Sequence, residues 1–436
     1  MRQRLERYFE FERLGTDWRT EILAGFTTFV TMAYIVFVNP SILQETGMPF
    51  AAVVAATCFS AAVGSILMGA FARYPIALAP GMGLNAYFTY TVCKGMGIPW
   101  QTALGAVFLS GVVFLILTFS GVRQLIVSAI PRELYAAVAA GIGLFIAFIG
   151  LRNAGMIVAS PATIVTMGDL RQPNTLLALF GLVLTAGLLT LKIRGAMLIG
   201  VLTTSAMGVL CGLVQWNPKM YSIGEITATA FQLDLAGALR IGLLEIVFVF
   251  LFVDLFDNVG TLVAVGTKAR LFDADTRQIP RMQRILLSDA AATVTGSLAG
   301  TSTVVSYIES AAGVVAGGRS GVTSITTGIL FLGALVVAPL IGAIPAAATA
   351  PALVIVGSLM AAHAAEIDWD DAGTGIPAFL TLMLIPLTFS IANGLAFGFT
   401  SYVLIRLISG RHRELSWMTY LLTALFLARF AYLGKG

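Results

Sequence analysis

Charge is scarce in this sequence: Asp, Glu, Lys and Arg make up 11% of 436 residues, whereas 58% are hydrophobic. A soluble domain carries about 25% charged and roughly 45–50% apolar residues. The composition therefore excludes a soluble globular domain and implies a membrane protein. Histidine is confined to His363 and His412, too few for a His-based zinc or haem centre, and no cofactor or metal is expected. Cysteine is equally sparse. Cys58, Cys93 and Cys211 are odd in number and sit in or beside apolar segments, which excludes a disulfide framework. The N-terminal stretch interleaves Arg2, Arg4, Arg7, Arg13 and Arg19 with acids and lacks the apolar core of a secretory signal, so no cleaved leader is expected.

What is present is a succession of apolar runs of about 20 residues, the length needed to cross a bilayer as helix. They fall near 21–43, 51–72, 76–96, 100–120, 130–150, 174–191, 195–215, 241–266, 284–300, 301–318, 321–342, 346–365, 373–391 and 392–410. With the N-terminus in the cytoplasm, the inner loops hold Arg73, Arg123, Arg132, Lys192, Arg194, Lys268, Arg270, Arg277, Arg281, Arg284 and Arg319. The outer loops hold only Lys94, Arg152, Arg171, Lys219 and Arg240. This bias is what the positive-inside rule requires. It also accounts for the net charge of +4, so no nucleic-acid partner is expected. The chain is expected to be a multi-pass protein of the cell (plasma or inner) membrane, in contact with the lipid bilayer. The tail 413–436 is apolar but contains Arg429, and it is expected to lie on the cytoplasmic surface as a helix.

Two pairs of segments point to a duplicated unit. IPRELYAAVAAGIGLF (130–145) resembles IPAAATAPALVIVGSL (344–359) in its Ile-Pro start and small-residue run. Spans 3 and 10 both look interrupted: ALAPGMGLNAYF (77–88) has Pro80, Gly81 and Gly83 at mid-span, and TSTVVSYIESAAG (301–313) opens with β-branched and hydroxyl residues. Such stretches suit a short extended piece followed by a half-helix, tolerated at membrane depth only where protein or a cavity covers the backbone. The fold class expected is an all-α polytopic membrane protein with fourteen transmembrane segments, a 7+7 inverted repeat, and short extended pieces in spans 3 and 10. Interrupted spans at matching places of inverted halves mark a transporter's binding site.

The run 248–262, FVFLFVDLFDNVGTL, places Asp254 near the bilayer centre and Asp257 one turn along. A carboxylate there costs on the order of 3 kcal/mol and calls for a functional reason. Glu245 lies about half a rotation around the same helix and is expected to contribute little. Glu309 falls where the extended piece of span 10 becomes helix, among free backbone N–H groups, and Asn85 holds the matching place in span 3. Together these residues suggest a polar pocket of carboxylates and amides, suited to a flat heterocycle rich in N–H donors.

At these residues the chain resembles the nucleobase:cation symporters of the second type, and within them the AzgA-like adenine, hypoxanthine and guanine permeases. The resemblance is carried by TTFVTMAYIVFVNPSIL (27–43), ALAPGMGLNAYF (77–88), FVDLFDNVGTL (252–262) and TSTVVSYIESAAG (301–313), in that order. It implies a core domain from 21–120 and 240–342 and a gate domain from 121–239 and 343–412, preceded by the cytoplasmic segment 1–20. It also implies that Asp254, Glu309 and Asn85 bind a purine nucleobase and that Asp257 supports binding or proton coupling. Proton symport, with sodium as the alternative coupling ion, an elevator-like or rocking alternating access and a homodimer through the gate domain are further implications. Asn258 departs from the threonine expected in that motif, which bears on fine specificity. Two other readings are weaker. An anion carrier of the same 7+7 fold would have its substrate repelled by the buried acids, and an intramembrane aspartyl protease needs its aspartates on separate spans.

Overall fold

The computed structural model describes residues 2–120, 131–216, 218, 220–240, 244–269, 280–341 and 344–433. Several basic loop residues counted above, Arg123, Lys219, Arg270 and Arg277, lie outside these, as do the side chains of Arg132, Arg240, Glu245, Lys268 and Arg429. In chain order the main elements are α1 (Arg2–Tyr8), α2 (Trp18–Met32), α3 (Ile35–Leu43), α4 (Phe50–Leu67), β1 (Leu78–Pro80), α5 (Met82–Ala86), α6 (Trp100–Phe119), α7 (Arg132–Asn153), β2 (Ile157–Ser160) and β3 (Ile164–Met167). They continue with α8 (Pro173–Thr190), α9 (Ala196–Leu210), α10 (Leu244–Ala269), α11 (Met282–Ala299), β4 (Val304–Ser306), α12 (Ser310–Val315), α13 (Gly321–Ile341), α14 (Ala346–Ala361), α15 (Ala372–Leu387), α16 (Ile391–Ile408) and α17 (Trp417–Leu433). Among the described residues eight helices are long and apolar enough to cross a membrane. The fold is thus a mostly helical, polytopic membrane fold.

Proline sets where several helices begin. Pro49, Pro99, Pro131 and Pro345 are the N-caps of α4, α6, α7 and α14, positions where a residue without an N–H leaves no helical hydrogen bond unmade. Pro131 and Pro345 are the prolines of the two Ile-Pro starts. The helices they open, α7 and α14, pack along each other and cross at Gly143 and Gly357. A Cβ on Gly143 would lie 2.6 Å from the Gly357 carbonyl oxygen, and one on Gly357 would lie 2.4 Å from that of Gly143. Both glycines occupy the same place in their segments, fourteenth from the isoleucine, so the internal resemblance meets itself at this crossing.

The helices fall into two packed groups. In one, α13 lies against α2 and α4, and α11 lies against α4 and α6. In the other, α14 packs on α7 and α8, and α15 packs on α7 and α16. A fully buried Glu21 ties the first group together: its carboxylate accepts the N–H groups of Arg319 and Ser320 at 2.9 and 3.1 Å, just ahead of α13. These are donors that a helix start leaves unpaired.

One face of α17 packs on the bundle. Phe426, 1% exposed, packs its ring against Phe248 and Phe252 of α10 and Phe399 of α16. The opposite face exposes Trp417, Leu421 and Leu425.

Candidate functional site

The two interrupted segments meet. β1 and β4 form an antiparallel pair with Leu78 opposite Ser306, Ala79 opposite Val305 and Pro80 opposite Val304. The pairing extends by one bond at each end, from the Gly81 N–H to the Thr303 carbonyl (3.0 Å) and from the Tyr307 N–H to the Ala77 carbonyl (2.9 Å). Unwound backbone away from water must find partners inside the protein. Here the outer edges are closed by hydroxyls. Ser65 of α4 accepts the Leu78 N–H and donates to its carbonyl, at 2.9 and 3.1 Å. Thr293 of α11 does the same for Val304, at 3.3 and 2.9 Å. Each strand thus receives the same support from the long helix that precedes it.

Beside this pair lies a small, partly open cavity. One wall consists of Gly81, Met82 and Gly83, the segment Val305–Glu309, and Asp257 and Thr261 of α10. The other is formed by Tyr135, Ala139 and Ile142 of α7, Val356 and Met360 of α14, and His363 in the 3-10 turn that follows. The site therefore sits at the seam between the two helical groups. Gly81 is required for this closeness, because a Cβ there would meet Val305 Cγ2 at 2.8 Å and Asp257 Oδ2 at 3.4 Å.

Of the four residues expected to make the pocket, two line the cavity and two stand behind it. Glu309 lines it, half-buried, and its Oε1 accepts the Tyr34 hydroxyl at 2.6 Å. It precedes α12 without capping it by its side chain, so the carboxylate is held by a tyrosine from the α2–α3 break rather than by helix N–H groups. Asp257 also lines the cavity and is half-buried.

Asp254 is fully buried and belongs to a different cluster. Asn258 Nδ2 donates to Asp254 Oδ1 at 2.9 Å and to Asp289 Oδ2 at 2.6 Å, while Asn258 Oδ1 accepts the Ser306 N–H at 3.0 Å. The asparagine that departs from the expected threonine thus ties α10, α11 and β4 into one unit. Asn85, also fully buried, donates to Asn39 Oδ1 and accepts the Ser302 hydroxyl. Asn39 in turn donates to Thr57 and Thr301 at 2.7 and 2.9 Å. Neither Asp254 nor Asn85 reaches the cavity wall.

Sequence reasoning missed Tyr34, Thr261, Tyr135, Tyr307 and His363. Thr261 follows Asp257 by four residues, the spacing that places both on one helical face, and this signal was available. His363 is one of two histidines and the one that falls in an apolar segment. Nothing in the sequence marks Tyr34 or Tyr135 as cavity residues, since their placement depends on long-range packing.

The same architecture is found in the transmembrane domain of a cyanobacterium bicarbonate transporter, BicA, with a TM-score of 0.64 at 14% identity, over 85% of this chain and 95% of that one. Sequence relatives are much closer. Adenine permease AdeP of Escherichia coli is 43% identical over 429 residues, 98% of this chain and 96% of its own length. Guanine/hypoxanthine permease PbuG of Bacillus subtilis is 44% identical over 441 residues, 98% of this chain and all of its own. Residues 19–397 match the sequence profile Xan_ur_permease, described as a permease family. The chain is therefore a transporter rather than an enzyme, and it belongs to the permease family of nucleobase:cation symporters of the second type.

Proposed function

We propose that this permease imports a purine nucleobase (adenine, hypoxanthine or guanine) together with a proton, and that Asp257 and Glu309 hold the base. The observation that carries the reading is the convergence of these two carboxylates, one from α10 and one from the β4–α12 junction, on a single cavity. A purine offers ring and exocyclic N–H groups, and carboxylates accept such donors through charge-assisted bonds. The remaining wall suits a flat ring, with Tyr135 supplying an aromatic face and Ile142, Val356 and Met360 supplying apolar contact. An anion would meet two acids, so the substrate class of the bicarbonate transporter does not suit this cavity.

In this reading Asp254 and Asn85 act through the scaffold, Asp254 by fixing Asn258 behind β4 and Asn85 by joining spans 1, 2, 3 and 10. The chain crosses the inner membrane fourteen times as an inverted repeat, with its N-terminus in the cytoplasm. The group containing α10 and the strand pair is the core, and the group containing α7 and α14 is the gate, through which two copies pair. His363 follows the end of α14, the cytoplasmic end in this orientation, so the cavity opens inward. Protonation of a cavity carboxylate and binding of the base shift the population between outward and inward states by binding them unequally.

The test is uptake of labelled hypoxanthine by cells expressing the protein, in competition with adenine, guanine, xanthine and uracil. Purines should compete, uracil should not, and a protonophore should abolish accumulation. Competition by bicarbonate and none by purines would overturn the reading.

A further inference from the structure

Among the described residues that line the cavity, one carries an imidazole: His363. It stands on the wall opposite Asp257 and Glu309. Its Nδ1 lies 2.8 Å from Glu366 Oε1. An ionised carboxylate can only accept, so Nδ1 is the protonated nitrogen and Nε2 is the acceptor of the neutral ring. The imidazole is thus held in the tautomer that can take up a second proton on its other side. Beyond Glu366 come Asp368 and Asp370, both exposed.

We propose that His363 is a positioning residue for proton release, relaying the symported proton from the cavity carboxylates to Glu366 and the cytoplasm. The proposal rests on proton-coupled purine transport as proposed above. In the step, the carboxyl of Asp257 gives its proton to Nε2, directly or through one water, and the ring becomes imidazolium. Nδ1 then gives its proton to Glu366 Oε1, which passes it to bulk water. The ring returns to the neutral state with its proton on Nε2, and an exchange with water restores the starting tautomer. No bond other than those to the proton forms or breaks.

The surroundings suit such a relay. The groups beside or across from the ring are acids and phenols: Glu366 on its own turn, Asp257 and Glu309 across the cavity, Tyr307 beside them, and Tyr135 of α7. A proton on the imidazole therefore meets acceptors on both sides. Histidine is the side chain whose ordinary pKa, about 6.5, allows it to gain and lose a proton at cellular pH.

The experiment uses the full-length protein in proteoliposomes and compares two rates: net uptake of labelled hypoxanthine driven by a pH gradient, and exchange of labelled for unlabelled hypoxanthine with no gradient. Exchange can run with the proton left in place, whereas net uptake must release it. For H363Q the ratio of net uptake to exchange should fall at least tenfold, and net uptake should lose its dependence on the interior pH. E366Q should lower the same ratio by a smaller factor. Millimolar imidazole should restore net uptake to H363A, because the cavity is open to solvent at the place of the missing ring. Parallel loss of both rates in H363Q, no loss in either, or an H363A protein that imidazole does not restore would overturn the relay. Failure of the functional reading shows in a different protein: wild type that takes up no purine, or takes it up regardless of pH, removes that reading and the relay with it.

Discussion

Tyr34 reaches from the break between α2 and α3 to Glu309, and its 2.6 Å hydrogen bond holds one of the two cavity carboxylates in place. Hydrogen bonds to charged groups contribute about 1.5–3 kcal/mol. Tyr34→Phe removes this bond without creating a charge, and hypoxanthine affinity is expected to fall about fivefold to tenfold, since part of that energy orients the acceptor for the substrate. Equilibrium binding to the purified variant checks this, and unchanged affinity would mean that Glu309 is held by other contacts. At the same scale the sequence was legible in chemistry and less so in direction. The run 248–262 announced that its acids are costly and therefore used. It did not reveal that a three-residue step turns the helix by about 300°, leaving Asp254 some 60° away from Asp257. That angle is enough to aim Asp254 at Asn258 and Asp289 behind β4, while Asp257 and, four residues on, Thr261 face the cavity. For Asn85 the sequence indicated an amide near the start of a half-helix. Its partner Asn39 is 46 residues away, and only the packing of α3 against α5 brings the two together.

Among the elements, the crossing of α7 and α14 is a close backbone approach in the second helical group, because Gly143 and Gly357 each approach the other's carbonyl oxygen. Gly143→Val would insert three carbons where even one does not fit. Overpacking of this kind typically costs ~1–3 kcal/mol, so the variant should unfold in detergent several degrees below wild type, with binding by the remaining folded protein little changed. A thermal melt that matches wild type would show that the helices separate freely. The start of α15 and the end of the neighbouring α16 are joined by charge. Buried Arg406 donates to Asp371 at 3.1 Å and also pairs with Glu414, while Arg411 reaches Asp371 at 3.0 Å. The Thr374 hydroxyl, the Gly373 N–H and Arg411 hold the Asp371 carboxyl below its ordinary range. Its contribution is therefore present above the ordinary carboxylate pKa and is lost only as acidification passes below it. The Ile-Pro starts and the interrupted spans 3 and 10 were legible because proline and glycine act locally. The β2–β3 hairpin was not, since Ile157–Ser160 and Ile164–Met167 carry no turn signal of the usual Asn-Gly kind. Nor was the seat of α17, which depends on Phe248, Phe252 and Phe399 in two distant helices.

For the whole molecule, the cavity lies where the two helical groups face each other, with the strand pair and both acids on one side and Tyr135, Met360 and His363 on the other. A site divided in this way changes shape whenever one group moves against the other, so a substrate that bridges the seam can bias that motion. The central claim is that a purine is held by Asp257 and Glu309, while Asp254 serves the scaffold. Calorimetric binding of hypoxanthine and adenine to purified wild type, D257N, E309Q and D254N tests it most directly. Loss of a charge-assisted acceptor is expected to weaken the preferred base about tenfold to a hundredfold in D257N and in E309Q. D254N, in which an amide oxygen still accepts from Asn258, should stay within about threefold of wild type. Affinity lost in D254N and kept in D257N would contradict the account.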